Sequence, residues 1–89
     1  MEIKGVLEDV KIESGINANT NNKWTRVNCY IKYEDTERKK YAIITFSGDK
    51  WKFIETFLNN NIRIYFDIDS SFWNDKAINV LKGYKVEKM

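Results

Sequence analysis

Apolar and polar residues alternate along most of this chain, the period of strands buried on one face. From Glu2 to Ile12, Ile3, Val6 or Leu7, Val10 and Ile12 stand among charged residues, and the phase shifts near Gly5. That pattern predicts a long strand bent at a glycine. Ser14 to Asn22 is a run of small, polar and turn-forming residues, long for a hairpin connection and therefore a candidate binding loop. A second strand follows, with Val27, Cys29, Ile31 and Tyr33 on one face and Trp24, Arg26, Asn28, Tyr30 and Lys32 on the other. Beyond a charged turn, Tyr41 to Ser47 reads as a third strand, with Ala42, Ile44 and Phe46 inward and Tyr41, Ile43 and Thr45 outward.

The period changes between Asp49 and Asn59, where Trp51, Phe53, Ile54, Phe57 and Leu58 keep spacings of three and four. This predicts one short helix, entered through Gly48 and capped by Asp49. Strict alternation resumes with Ile62, Ile64, Phe66 and Ile68. Ser70 to Asp75 reads as a hairpin tip, and a last strand runs from Lys76 to about Val86. In that strand Ile78 and Val80 are expected inward, with an irregularity near Gly83. Three strands, a helix and two strands, in the order β1-β2-β3-α-β4-β5, are the pattern of an all-β OB-fold: a five-stranded β-barrel with one short helix. The chain, residues 1–89, is read as a single domain of this kind.

Composition supports a closed barrel, because a chain of 89 residues with a single cysteine has no disulfide to staple it. It also narrows the chemistry. With one cysteine and no histidine, zinc sites built on Cys and His and His-based general bases are excluded. Cys29 lies on the apolar face of its strand and reads as an inert buried thiol. Asp67 and Asp69 share a strand face and could approach a Mg²⁺ ion, but no third ligand can be identified, and solvated charges on an exposed strand are the simpler reading. The isolated glycines form neither a phosphate loop nor a dinucleotide fingerprint. No catalysis, metal or cofactor is therefore expected. The opening residues carry charges incompatible with a signal peptide, and no apolar run is long enough to span a membrane, so the expected setting is cytoplasmic.

Fifteen basic against thirteen acidic side chains give only +2, so the layout of charge matters more than its sum. On the non-core face of β2, alternation places Trp24, Arg26, Tyr30 and Lys32 together, and Tyr41 of the next strand extends the group. Phe72 and Trp73 stand at the expected hairpin tip, where large rings are costly to expose without a partner, and Lys76 flanks them. Single-stranded nucleic acid offers the matching chemistry, since its bases stack on rings and its phosphates attract Lys and Arg. The competing structural role is that Trp24 covers a barrel end and Phe72 or Trp73 folds back upon it.

Three short motifs, Lys23-Trp24, Gly48-Asp49-Lys50 and Phe66-Asp67-Ile68-Asp69-Ser70, give the stretch from Lys23 to Val86 a resemblance to the small OB-fold single-stranded-DNA-binding proteins of bacteria and their phages. The resemblance implies an OB barrel that binds single strands, with Trp24 and the Phe72-Trp73 hairpin as the positions carried over. The expected ligand is single-stranded DNA, with RNA as a variant of the same chemistry. The alternative is a protein-binding OB module, such as a phage inhibitor or assembly subunit, using the same face, because rings and Arg also make protein hot spots. Small barrels of this type often work as homo-oligomers, and nothing in the sequence chooses a state.

Overall fold

The computed structural model describes the backbone of residues 1–35, 38–73 and 75–89, and the side chains of these except 34, 35, 38, 39, 71–73, 76 and 77. Five strands form, β1 (Glu2–Ile16), β2 (Lys23–Asp35), β3 (Arg38–Ser47), β4 (Asn61–Trp73) and β5 (Lys76–Lys88), with one 3-10 helix at Asp49–Phe57. They close into a barrel in the order β1-β2-β3-β5-β4. β1 serves two neighbours, because Glu2 to Val6 pair with Tyr65 to Asn61 of β4, and Val6 to Ile16 pair with Lys32 to Lys23 of β2. The expected shift of phase falls between Leu7 and Asp9, slightly beyond Gly5, where one extra residue bulges the strand. Closure depends on a parallel contact of β3 with β5 at Thr45 and Lys82. This arrangement is the OB-fold expected from the order of elements.

The core is the set of inward positions that alternation assigns on β2, β3 and β4: Val27, Cys29 and Ile31, then Ile44 and Phe46, then Ile62, Ile64 and Phe66, with Leu7 and Ile54 added. Ile68 continues the β4 alternation yet is 50% exposed, because the β4–β5 hairpin has by then run past the barrel wall. Burial pushes the Cys29 thiol up to about 12, in keeping with an inert core residue.

Several expectations are corrected. The helix is of the 3-10 type, whose three residues per turn put Trp51, Ile54 and Phe57 on one face. Those three pack on the core, while Phe53 and Leu58, which an α-helical period would bury, are 46% and 42% exposed. Asp49 is not the cap: Gly48 holds that position at φ 116°, without a side-chain cap, and the Asp49 carboxylate accepts a hydrogen bond from the Thr25 hydroxyl at 2.7 Å. On β5, Ile78 and Val80 point outward, at 41% and 37% exposure. The phase there is set by Gly83, which faces inward under the ring of the buried Phe46; a Cβ on Gly83 would lie 2.7 Å from Phe46 Cε2 and closer still to two other ring carbons. With position 83 inward, Leu81 follows it and Val80 and Lys82 face out.

The two expected loops are also shorter than their composition suggests. Ser14, Gly15 and Ile16 pair with Thr25, Trp24 and Lys23, leaving residues 17–22 as the connection. That connection is tied by Asn17 N–H to Asn22 O at 2.8 Å and Asn21 N–H to Asn17 O at 2.7 Å, with Asn21 at φ 55°. In the second hairpin, pairing continues through Phe72 with Ala77 and Trp73 with Lys76, so both aromatics are strand residues rather than tip residues.

Candidate nucleic-acid interface

The outward face of β2 is the middle row of a three-stranded surface. Across the β1 pairing, Gly15, Glu13, Lys11 and Asp9 stand opposite Trp24, Arg26, Asn28 and Tyr30. Across the β3 pairing, Ser47, Thr45, Ile43 and Tyr41 stand opposite Arg26, Asn28, Tyr30 and Lys32. Of the residues expected to form a site, Trp24, Arg26, Tyr30, Lys32 and Tyr41 are thus gathered on one continuous face. Phe72, Trp73 and Lys76 have strand backbones on the β4–β5 hairpin, and their side chains lie outside the described residues.

Within this face the rings are held by cations and by a glycine. Trp24 is 39% exposed, and its indole lies over Gly15, where a Cβ would come within 2.6 Å of Cζ2. The Arg26 guanidinium sits over the indole, 5.0 Å from its centroid, and Lys11 sits over the Tyr30 ring at 5.1 Å. Such contacts are worth about 0.5–1 kcal/mol where exposed, enough to orient a side chain without fixing it. Tyr41 is 58% exposed beside Ile43, also half exposed. Lys32 is engaged by Glu8 at 3.3 Å, which reduces its availability to a phosphate.

Between the strands runs a groove of about 440 Å³ lined by Glu13, Arg26, Asn28, Thr45, Ser47, Val80 and Lys82. Its floor is an ordered polar chain: the Thr45 hydroxyl donates to Asn28 Oδ1 at 2.8 Å, and Asn28 Nδ2 donates to Glu13 Oε1 at 3.1 Å. Lys82 borders the groove through the β3–β5 contact and pairs with Asp69 at 2.7 Å, a bond that holds the Asp69 carboxyl below its usual range. The Asp67 and Asp69 pair is thus partly committed to a lysine. Among the described residues no group of three His, Cys, Asp or Glu side chains could hold a metal ion. Nor, among the described residues, is any helix long and apolar enough to cross a membrane.

Sequence reasoning missed Lys11, Glu13 and Lys82. The β1 alternation already put Lys11 and Glu13 outward; what lacked was the register placing them beside Arg26 and Asn28. Lys82 required both the β5 phase and the barrel closure. A second ring-and-cation cluster, Arg63, Tyr65, Tyr84 and Lys85, lies on β4 and β5, with Lys85 5.1 Å from the Tyr65 centroid. Its cations are neutralised, Arg63 by Glu2 at 3.6 Å and Glu87 at 3.8 Å, and Lys85 by Glu87 at 3.0 Å. Arg26, by contrast, has no ion-pair partner among the described residues.

No protein-family model matches the chain, and no curated protein matches it in sequence. Among solved structures it is similar to a mitochondrial single-stranded DNA binding protein from S. cerevisiae, Rim1, with a TM-score of 0.66 at 13% identity over 100% of this chain and 91% of that one. A selenomethionine form of the same yeast protein gives a TM-score of 0.59, again at 13% identity. At that identity the likeness is one of architecture, and it establishes that this chain has the OB-fold.

Proposed function

We propose that the protein binds single-stranded nucleic acid, DNA in the first place, without catalysis, by stacking bases on the outward face of β1, β2 and β3. The observation that carries this reading is the Trp24–Arg26 pair: an exposed indole and a guanidinium without an ion-pair partner among the described residues, one lying over the other on the outward face of β2. Bases stack on aromatic rings and on guanidinium planes alike, and the cation also meets the phosphates. Tyr30 and Tyr41 extend the stacking row, Lys11 and Lys32 add charge, and Phe72, Trp73 and Lys76 are assigned to the same ligand from the sequence. The likeness to a single-stranded DNA binding protein of yeast mitochondria supports this reading from the side of architecture.

The test is titration of a fluorescently labelled oligo-dT with the wild type and Trp24→Ala. Stacking is worth about 1–3 kcal/mol per base, so the variant should bind roughly 5- to 150-fold more weakly. Unchanged affinity removes Trp24 from the site. A flat wild-type titration, with no quenching of tryptophan emission, shifts the reading to a protein partner on the same face.

A further inference from the structure

The groove beside the stacking row holds a feature that stacking and phosphate contacts do not use. Glu13, a carboxylate, stands directly across the strand pair from Arg26, yet no ion pair joins them among the described residues. Glu13 instead accepts from Asn28, and Arg26 lies over Trp24. A carboxylate repels phosphate, so its presence in a surface that attracts a polyanion calls for a different contact. Asn28 engages Oε1 alone, leaving Glu13 Oε2 as an acceptor at the groove. Arg26 and Lys82 supply donors on the same lining, and Val80 supplies an apolar wall. The volume of about 440 Å³ lies in the range of clefts that take small planar ligands.

We infer that this groove reads the edge of one base, and that Glu13 and Arg26 give it a preference for guanine. The inference rests on the proposed binding of single strands. Sequence-specific readers of single strands bond the Watson–Crick edges of unstacked bases. Guanine alone presents two adjacent donors there, N1–H and the N2 amino group, next to the O6 acceptor. A carboxylate accepts from both donors, and a guanidinium donates to O6, with N7 within the same reach. Thymine has one edge donor, N3–H, between two carbonyl oxygens that would face the carboxylate. Adenine and cytosine each offer a single amino group beside a ring acceptor. The Thr45–Asn28–Glu13 chain fixes the carboxylate in place before the base arrives, which limits the ordering cost of the contact.

The experiment measures affinity for a nine-nucleotide oligo-dT and for the same oligomer with its central base replaced by guanine, hypoxanthine, adenine or cytosine. A good bidentate pair discriminates by about 5- to 150-fold, and an open groove belongs at the low end, so the guanine oligomer should bind about fivefold or more tighter than the others. Hypoxanthine, which lacks the N2 amino group, should lose much of that advantage. Glu13→Gln, which replaces one acceptor oxygen by a donor, should abolish the preference, and so should Glu13→Ala, while oligo-dT binds each variant at least as tightly as the wild type because a charge that repels phosphate is gone. Position 13 is exposed, and circular dichroism verifies the fold of both variants. Equal affinity for all oligomers, or a guanine preference that survives both variants, overturns the inference and leaves single-strand binding standing. Absence of binding to every oligomer overturns both.

Discussion

Gly83→Ala tests the packing that sets the phase of β5 and so builds one border of the candidate groove. The new methyl would lie 2.7 Å from Phe46 Cε2 and nearer still to Cζ and Cε1, distances that real carbon atoms do not tolerate. Phe46 cannot yield easily, because it is fully buried and its other contacts include Trp51, whose ring centroid is 4.5 Å away at a 40° tilt. The ring must therefore leave its rotamer, or β5 must move off the barrel. Overpacking of this kind costs about 1–3 kcal/mol, and rigid neighbours on both sides put this case at the upper end. For a domain of this size that is a fall in melting temperature of roughly 10–20 °C, against a total stability of roughly 5–13 kcal/mol. Urea unfolding followed by circular dichroism reads the change directly. Phe46→Leu in the same chain should recover part of the loss, so the double variant should be less destabilised than the sum of the single ones by about 1 kcal/mol. If Gly83→Ala unfolds within about 0.5 kcal/mol of the wild type, the contact of Gly83 with Phe46 does not orient β5.

Three further outcomes are expected. Gly15→Ala should displace the indole that rests on it, shifting Trp24 emission and weakening oligo-dT binding, with little effect on unfolding because that ring is outside the barrel; unaltered binding would show that the seat of Trp24 is unimportant. Asp69→Asn should free Lys82 and make the dependence of log affinity on log salt steeper by about 0.7, the increment for one more phosphate on a single strand, and an unchanged slope would leave Lys82 out of the interface. The third concerns pH. The Cys29 thiol titrates near 9 when unfolded and about 12 when buried, so above pH 9 the unfolded chain loses a proton that the folded chain keeps. Stability from this group is complete below pH 9 and declines by about 1.4 kcal/mol per pH unit toward pH 12, a component that Cys29→Ala should remove from the alkaline unfolding profile. An identical profile in the variant would contradict the burial.

The outward row of the candidate site was legible because a strand encodes its faces locally. The alternation from Trp24 to Lys32 is enough to separate Val27, Cys29 and Ile31, all fully buried, from the outward row of rings and cations. The same rule on β3 and β4 separates Ile44, Phe46, Ile62 and Ile64 from their outward neighbours. β5 escaped it because its apolar residues occur in both phases. Ile78 and Val80 are as hydrophobic as Leu81, and the set that faces the core is the one in phase with Gly83, which lies against the ring of Phe46. The helix escaped for a related reason: spacings of three and four fit both helical periods, and burying Trp51, Ile54 and Phe57 together selects the tighter one.

The order of elements, the OB-fold, the exclusion of His- and disulfide-based chemistry, and the aromatic row on β2 were thus readable from the residues alone. Those follow from residue types and from periods that span a few neighbours. Tertiary structure alone decided which cations and carboxylates share a surface. Glu13 meets Arg26 and Asn28 through β-pairing across the first hairpin, and Lys82 meets Thr45 where β3 and β5 close the barrel. Register and closure are set by the packing of the whole core at once, which no local pattern records. The candidate base-reading groove exists only as a consequence of that packing.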